Sequence, residues 1–95
     1  MIEIKILREA GSFAENKDVA REIRLKKLMP ALENGGEATI DFAGVEGATQ
    51  SFIHALISDA IRKHGPAVLD RIYFRNCNEI VKKIIGIVAD YMQEA

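Results

Sequence analysis

Strand-like and helix-like patterns alternate along this chain, and their order constrains the fold more than any other feature of the sequence. A strand is predicted at residues 2–8, where three isoleucines alternate with charged residues. Further strands are predicted at residues 38–42 and 70–75, and an amphipathic helix pattern follows each of the three strands. This βαβαβα order predicts an α/β fold with a mostly parallel or mixed sheet covered by helices. With 95 residues, 48% of them hydrophobic, the chain has apolar material for one core, so we expect a single small domain over residues 1–95.

Helix boundaries are predicted from capping and breaking residues. The first helix begins near Lys17, and Pro30 is expected to kink it or to end it early near Met29, because proline has no amide hydrogen to donate. A clear stop follows at residues 34–36, which read Asn-Gly-Gly. The second helix is expected to end at Gly65, which is followed by a proline.

The third helix has the clearest pattern of the three. Asn76 and Glu79 have the spacing of a capping box, with Asn in the place of Ser or Thr, and this predicts that the helix opens at Asn76. Spacings of three and four residues predict its core face. The predicted core residues are Ile80, Val81, Ile84, Ile85, Val88 and Met92.

Charge and cysteine content limit the range of functions. Lys and Arg number 13 against 14 Asp and Glu, so the net charge of -1 provides no overall attraction to nucleic acid or to an acidic membrane. The first residues lack the apolar region of a signal peptide, and we expect a cytoplasmic protein. Cys77 has no second thiol for a disulfide or a zinc site, and we expect no metal and no cofactor. The position of Cys77 beside a helix start predicts either a thiol with a lowered pKa or a cysteine with only a structural role.

The segment at residues 40–52 reads I-D-F-A-G-V-E-G-A-T-Q-S-F, a short strand followed by a loop and a helix start. Gly44 and Gly47 permit backbone angles that are closed to other residues, so the loop can turn tightly. The free amide groups and the positive dipole end of a helix N-terminus favour an added phosphate, which makes Ser51 and Thr49 candidate phosphoacceptors. The alternative is ordinary capping, in which Thr49 is the N-cap and Ser51 is an unmodified first-turn residue.

The same segment and the helix after it supply the candidate partner-binding residues, which are Asp41, Val45, Glu46, Gln50 and His54. Asp41 lies at a strand end, where α/β sheets usually bind ligands, although a lone carboxylate there also commonly accepts hydrogen bonds from the following loop, here residues 44–47. His54 follows Ser51 by three residues and shares its helix face. A Ser-His hydrolase also needs an orienting acid and a nucleophile elbow, which do not accompany this pair, so we expect no enzymatic activity.

These residues resemble STAS domains of the anti-sigma-factor antagonist type. The pattern I-D-F-x-G-V-E, then S-F, then a later strand ending I-Y-F-R-N is similar to the STAS-like domain family of unknown function, from about residue 11 to 92. In STAS antagonists, a kinase of the GHKL ATPase fold phosphorylates a Ser that falls on Ser51, and the phosphate breaks the complex with the kinase or anti-sigma factor. The signature that is typical of STAS antagonists at this position is D-S-S-G or D-S-T-G. In this chain the corresponding residues 49–52 read T-Q-S-F. The resemblance implies a bacterial, non-enzymatic regulatory module that binds a GHKL-type ATPase kinase or an anti-sigma factor.

Two other surfaces suggest further interactions of the protein. A basic cluster on the first helix has three alternative interpretations. It binds nucleic acid or a ribonucleoprotein, it binds an acidic protein partner, or it is a solvated helix face without a binding role. Its members are Arg21, Arg24, Lys26 and Lys27. The strand at residues 2–7 can pair with a second copy if its edge is exposed, which would make a homo-oligomer of undefined symmetry.

Overall fold

Parallel strands form two sheets in the computed structural model, which describes residues 1–94. The strands in this range are β1 (Ile2–Lys5), β2 (Phe13–Ala14), β3 (Ala38–Asp41), β4 (Gly47–Ala48) and β5 (Ile72–Arg75). The helices are α1 (Ile6–Ala10), α2 (Lys17–Ile23), α3 (Met29–Glu33), α4 (Gln50–His64) and α5 (Glu79–Glu94), with a π-helical turn at Arg24–Leu28 and a 3₁₀-helical segment at Pro66–Arg71. The predicted α/β fold with parallel strands is confirmed.

The main sheet has the order β1-β3-β5, and both neighbouring pairs are parallel. In this register Ile4 lies beside Ile40, and both are fully buried on the face that packs against the helices. On the opposite face, Glu3 and Lys5 of β1 and Tyr73 of β5 are exposed. This alternation is expected for edge strands with one face on the core. The central strand β3 is buried along its whole length.

The small sheet pairs β2 with β4 and so joins the loop after β3 to the segment after α1. Phe13 lies beside Gly47, and the backbone N–H of Glu46 donates to the carbonyl oxygen of Ser12 at 2.7 Å. The sequence analysis did not predict these strands, because two residues are too few to show a period of two.

Helix α4 lies at the centre of the helical layer and packs against both α2 and α5. Its apolar stripe is buried, beginning with the fully buried Phe52 and Ile53. It ends at Gly65, as predicted, with a left-handed φ of 83° that a residue with a Cβ rarely adopts. Among the described residues, no helix combines the length and the apolarity needed to cross a membrane.

Two predicted strand boundaries were wrong by two or more residues, and the strand predicted at residues 38–42 ends one residue earlier, at Asp41. The strand predicted at residues 2–8 ends at Lys5, and the chain enters α1 at Ile6. Lys5 pairs with Asp41, the last residue of β3, so no ladder partner remains for a longer β1. The strand predicted at residues 70–75 begins at Ile72, because the two residues before it belong to the 3₁₀-helical segment.

The early end expected near Met29 was wrong, whereas a disturbance of the helix does lie there, in the π-helical turn that ends at Leu28. The chain stays helical from Lys17 to Glu33, and the disturbance is the π-helical turn that precedes Pro30. In this wider turn the N–H of Met29 donates to the carbonyl oxygen of Arg24. Pro30 follows this turn as the second residue of α3, so the amide hydrogen that it lacks falls where π-helical hydrogen bonding changes to α-helical hydrogen bonding.

The predicted start of the last helix was wrong by two residues. Asn76 is not the cap: it has a left-handed φ of 58°, and it turns the chain between β5 and α5. The N-cap is Asn78, whose Oδ1 accepts from the N–H of Val81 at 2.8 Å. Ile80 is 60% exposed and does not belong to the core face. The buried stripe contains Val81, Ile85, Val88 and Met92, with Ile84 half-buried.

Candidate functional site

Asp41 holds together the loops at the carboxyl end of the main sheet. Its Oδ1 accepts hydrogen bonds from the N–H of Ala43 and from Nδ2 of Asn76, both at 2.9 Å. The side chain of Lys5 lies 3.8 Å from its other carboxylate oxygen. These contacts, with the Asn76 hydrogen bond the strongest, lower the pKa of Asp41. The predicted donors at residues 44–47 were wrong, because the amide that Asp41 binds is that of Ala43.

The loop after β3 contributes one exposed candidate and one buried one. Val45 is only 4% exposed and is part of the hydrophobic core, so its side chain is not presented to a partner in this structure. Glu46 is exposed, and its carbonyl oxygen accepts from Nδ2 of Asn78 at 2.9 Å. Asn78 therefore ties this loop to the start of α5 while it caps that helix.

The two glycines of this loop have different roles. Gly44 has a left-handed φ of 80°, as predicted for a tight turn. Gly47 does not have a positive φ and lies in β4, so of these two glycines Gly44 alone uses the backbone angles that glycine permits. A Cβ at Gly47 would lie 2.8 Å from the Phe13 ring, so the close approach of Phe13 requires a residue without a side chain.

Thr49 and Ser51 have distinct positions at the start of α4. Thr49 is the N-cap, and its Oγ1 accepts from the N–H of Phe52 at 3.1 Å. Ser51 is exposed in the first helical turn. The helix dipole and the free amides of this turn favour a negative charge there. The capping role of Thr49 is thus established, whereas phosphorylation of either residue stays a prediction.

Ser51 lies in a groove of about 430 Å³ between the first half of α4 and the second half of α5, with the start of α2 at one side. We call it the Ser51 groove. Three predicted site residues, Gln50, Ser51 and His54, line it together. The remaining lining residues are Lys17, Ala55, Ile87, Val88 and Tyr91. Asp41, Val45 and Glu46 do not line this groove, so the predicted residues divide between two places.

The Ser51 groove combines apolar contact area with one positive charge. Tyr91 is 63% exposed and Ile87 is 40% exposed, both unusually open for large side chains on a packed helix. The rings of His54 and Tyr91 lie 6.5 Å apart in a tilted arrangement. Lys17 is the one permanently charged residue among those that line the groove. Such a surface suits a partner that presents apolar side chains beside a carboxylate.

The sequence analysis missed the contributions of α2 and α5 to this groove. A signal for α5 was present, because Ile80, Ile84, Ile87 and Tyr91 form a second apolar stripe beside the core stripe. Nothing local in the sequence indicates that Lys17 lies beside Ser51, since the packing of α2 on α4 brings them together.

The basic cluster on the first helix is largely paired within the molecule. Arg24 is not part of a solvated face: its side chain is only 15% exposed, donates to the carbonyl oxygen of Ala55 at 3.0 Å and lies 3.3 Å from Asp59. Lys26 and Lys27 lie 2.8 and 2.6 Å from Glu22 and Glu9, respectively. These carboxylates offset much of the positive charge that a nucleic acid would require.

Cys77 does not have the lowered pKa that its position beside a helix start suggested. Burial raises the pKa of its thiol, because the charged thiolate loses contact with water. The thiol is half-buried beside β5 and lies 3.8 Å from the carbonyl oxygen of Arg75. A structural role fits this environment better than a reactive one.

Comparison with known proteins agrees with the resemblance. A family model described as a STAS-like domain of unknown function (DUF4325) matches residues 19–82, which is more than half of the chain. The match extends from α2 into the first turn of α5 and includes the whole of α4. No curated protein and no solved structure gives a significant match. The chain therefore belongs to the family of STAS-like domains of unknown function (DUF4325).

Proposed function

We propose that this domain is a regulatory protein-interaction module without enzymatic activity, and that phosphorylation of Ser51 switches its binding. The observation that carries the proposal is the exposed Ser51 hydroxyl in a groove that also exposes Ile87 and Tyr91. A single modification there changes the charge of a surface suited to a partner. By analogy with STAS antagonists, the partner is a GHKL-type ATPase kinase or an anti-sigma factor.

The charge of the Ser51 groove explains how the switch works. Unmodified, the groove carries Lys17 and no carboxylate among its described lining residues, so an acidic partner is attracted. A phosphate on Ser51 adds a charge of about -1.5 to -2, which exceeds the charge of Lys17 and makes the groove negative. The same phosphate is favoured by the N-terminus of α4, so it stabilises its own helix while it repels the partner.

Ser51 is a better phosphoacceptor than Thr49. The Thr49 oxygen already accepts from the amide of Phe52, and a phosphate on that oxygen would disturb the cap of α4. Ser51 is exposed, so a kinase can reach its hydroxyl while the helix stays intact. Exposed Gln50 lies beside it in the groove and is available for polar contacts with the partner.

The same geometry argues against hydrolysis by Ser51 and His54. A hydrolase needs a carboxylate that orients the histidine. The one acidic residue of α4, Asp59, forms ion pairs with Arg24 and Arg62 at 3.3 and 3.0 Å. Asp59 is therefore not available to orient His54.

Phosphosite mapping of the protein purified from its own cells, compared between growth and stress, tests this proposal. We expect phosphate on Ser51 whose occupancy changes between conditions. In affinity capture, wild type and Ser51→Ala should retain a GHKL-type ATPase or an anti-sigma factor, whereas Ser51→Asp should lose it with nearly unchanged thermal stability. Ser12→Asp is the matched control, since Ser12 is exposed and lies outside the groove. The proposal is contradicted if no phosphate is found on Ser51 under either condition and Ser51→Asp captures the partner as well as wild type does.

A further inference from the structure

The outer edge of β1 carries backbone groups that point away from the sheet. β1 is the first strand in the order β1-β3-β5, so only one of its edges pairs with a described strand of the main sheet. The N–H of Ile2 donates to the carbonyl oxygen of Glu37 next to β3. In a parallel ladder alternate residues bond to the same side, so Ile4 also faces β3. The N–H and C=O groups of Glu3 and the N–H of Lys5 therefore point outward, whereas the C=O of Lys5, the N-cap residue of α1, accepts the first hydrogen bond of that helix.

The side chains of these two outward-bonding residues have opposite charges. Glu3 and Lys5 lie on the open face of the sheet, and their side chains are 55% and 50% exposed. The contacts that Lys5 makes within the molecule are long, at 3.7 Å to Glu3 and 3.8 Å to Asp41. Exposed pairs of this kind contribute little, so both charges remain available to a neighbouring strand.

We propose that β1 pairs antiparallel with β1 of a second copy, around a two-fold axis at Ile4. In an antiparallel ladder, residues whose backbone groups point outward form the hydrogen-bonded pairs. An axis at Glu3 places the two Glu3 residues opposite each other, and an axis at Lys5 does the same for the two lysines. Like charges in directly opposite positions are destabilising. Only the axis at Ile4 places each Glu3 opposite Lys5 of the second copy.

This arrangement uses the same surface on both copies, as a two-fold dimer requires. Each Glu3–Lys5 pair forms a backbone hydrogen bond from the N–H of Lys5 to the carbonyl oxygen of Glu3 in the other copy, and it adds a cross-strand ion pair. The two main sheets become one continuous sheet with the strand order β5-β3-β1-β1-β3-β5. The sequence Glu-Ile-Lys complements itself when it is read in the opposite direction, so the chemistry of this edge fits a second copy of this chain.

Sedimentation equilibrium with charge-reversed variants tests the dimer, with any purification tag placed at the C-terminus. Glu3→Lys alone places lysines opposite each other, and Lys5→Glu alone places glutamates opposite each other. We expect each variant to raise the dimer Kd about tenfold or more. An equimolar mixture of the two variants restores opposite charges in both pairs, so it should form a heterodimer with near wild-type affinity. Glu15→Lys, an exposed reversal outside β1, controls for net charge and should leave the Kd unchanged.

Amide hydrogen exchange of the wild type provides a second readout that needs no variant. The amide of Lys5 should become more protected as the protein concentration rises, whereas the amide of Ile4 already bonds within the monomer and should change less. The proposal is overturned if the wild type is monomeric at all concentrations up to about 1 mM. It is also overturned if a dimer forms that neither reversal weakens, or if the mixture does not restore association.

Discussion

Asn78 makes two separate contributions to stability, and replacing it with alanine is the sharpest test of how α5 begins. Its Oδ1 caps α5 through the N–H of Val81 at 2.8 Å, and its Nδ2 donates to the carbonyl oxygen of Glu46 at 2.9 Å. Loss of an N-cap costs about 1 kcal/mol. Loss of the hydrogen bond to the loop costs about 1 kcal/mol more. Asn78→Ala should therefore lower the free energy of unfolding by about 2 kcal/mol, which lowers the Tm by about 8 to 16 °C.

Asn78→Ser separates the two contributions, because serine keeps the capping oxygen and has no amide donor. Urea unfolding followed by circular dichroism should show a loss of about 1 kcal/mol for this variant, half of that for alanine. Asn16 is the matched control, since it caps α2 through the amides of Asp18 and Val19 and its side chain forms no hydrogen bond with a distant loop among residues 1–94. Asn16→Ala should cost about 1 kcal/mol, and Asn16→Ser should cost almost nothing.

One result would refute this reasoning about Asn78. If Asn78→Ala lies within about 0.5 kcal/mol of wild type, neither the cap nor the contact with Glu46 stabilises the fold, and the helix start at Asn76 suggested by the capping-box spacing regains support. Equal losses for the alanine and serine variants would instead assign the whole effect to the contact with the loop.

Two further predictions concern the core and the acid stability of the fold. Phe52→Ala removes a fully buried ring next to the N-cap of α4 and should lower the free energy of unfolding by about 3 to 5 kcal/mol in urea titrations; an unchanged Tm would contradict its place in the core. Asp41 has a lowered pKa in the folded state, so its ionised form stabilises the fold above the unfolded pKa of about 3.9, and this contribution is lost as the pH falls through the folded pKa. Wild type should therefore lose more stability than Asp41→Asn between about pH 5 and pH 2 in unfolding titrations, and parallel profiles for the two proteins would argue against this role.

Sequence patterns predicted the elements whose signals lie within a few neighbouring residues. The alternation of Ile2 and Ile4 with charged residues marked β1, and the spacing of apolar residues after Phe52 marked α4. Thr49 and Gly65 marked the two ends of α4, because caps depend on side chains and backbone angles at the helix end itself. The candidate site was predicted as far as Gln50, Ser51 and His54, which share one helix.

The patterns were less reliable where distant parts of the chain compete for the same groups. Asn76 has the right spacing for a cap, but its side chain binds Asp41, which lies 35 positions earlier in the sequence. Arg24 has the position of a solvated basic residue, but the packing of α2 on α4 places it against Asp59. Each of these side chains can satisfy its polar groups either locally, at a helix cap or in solvent, or through a residue far away in the sequence. Only the tertiary contacts determine which of the two partners it binds.

The amino-acid sequence alone determined the order of the three main strands and of the helices that follow them, most of the apolar face of each, and the family to which the chain belongs. These properties follow from periodicity, capping and motif, which need no knowledge of distant contacts. The tertiary structure decided that Lys17 and Tyr91 meet Ser51 in one groove, and that the backbone N–H groups of Glu3 and Lys5 point to the outer edge of β1. Those juxtapositions depend on how helices pack and how strands register, which are set by the burial of the whole core rather than by any local segment.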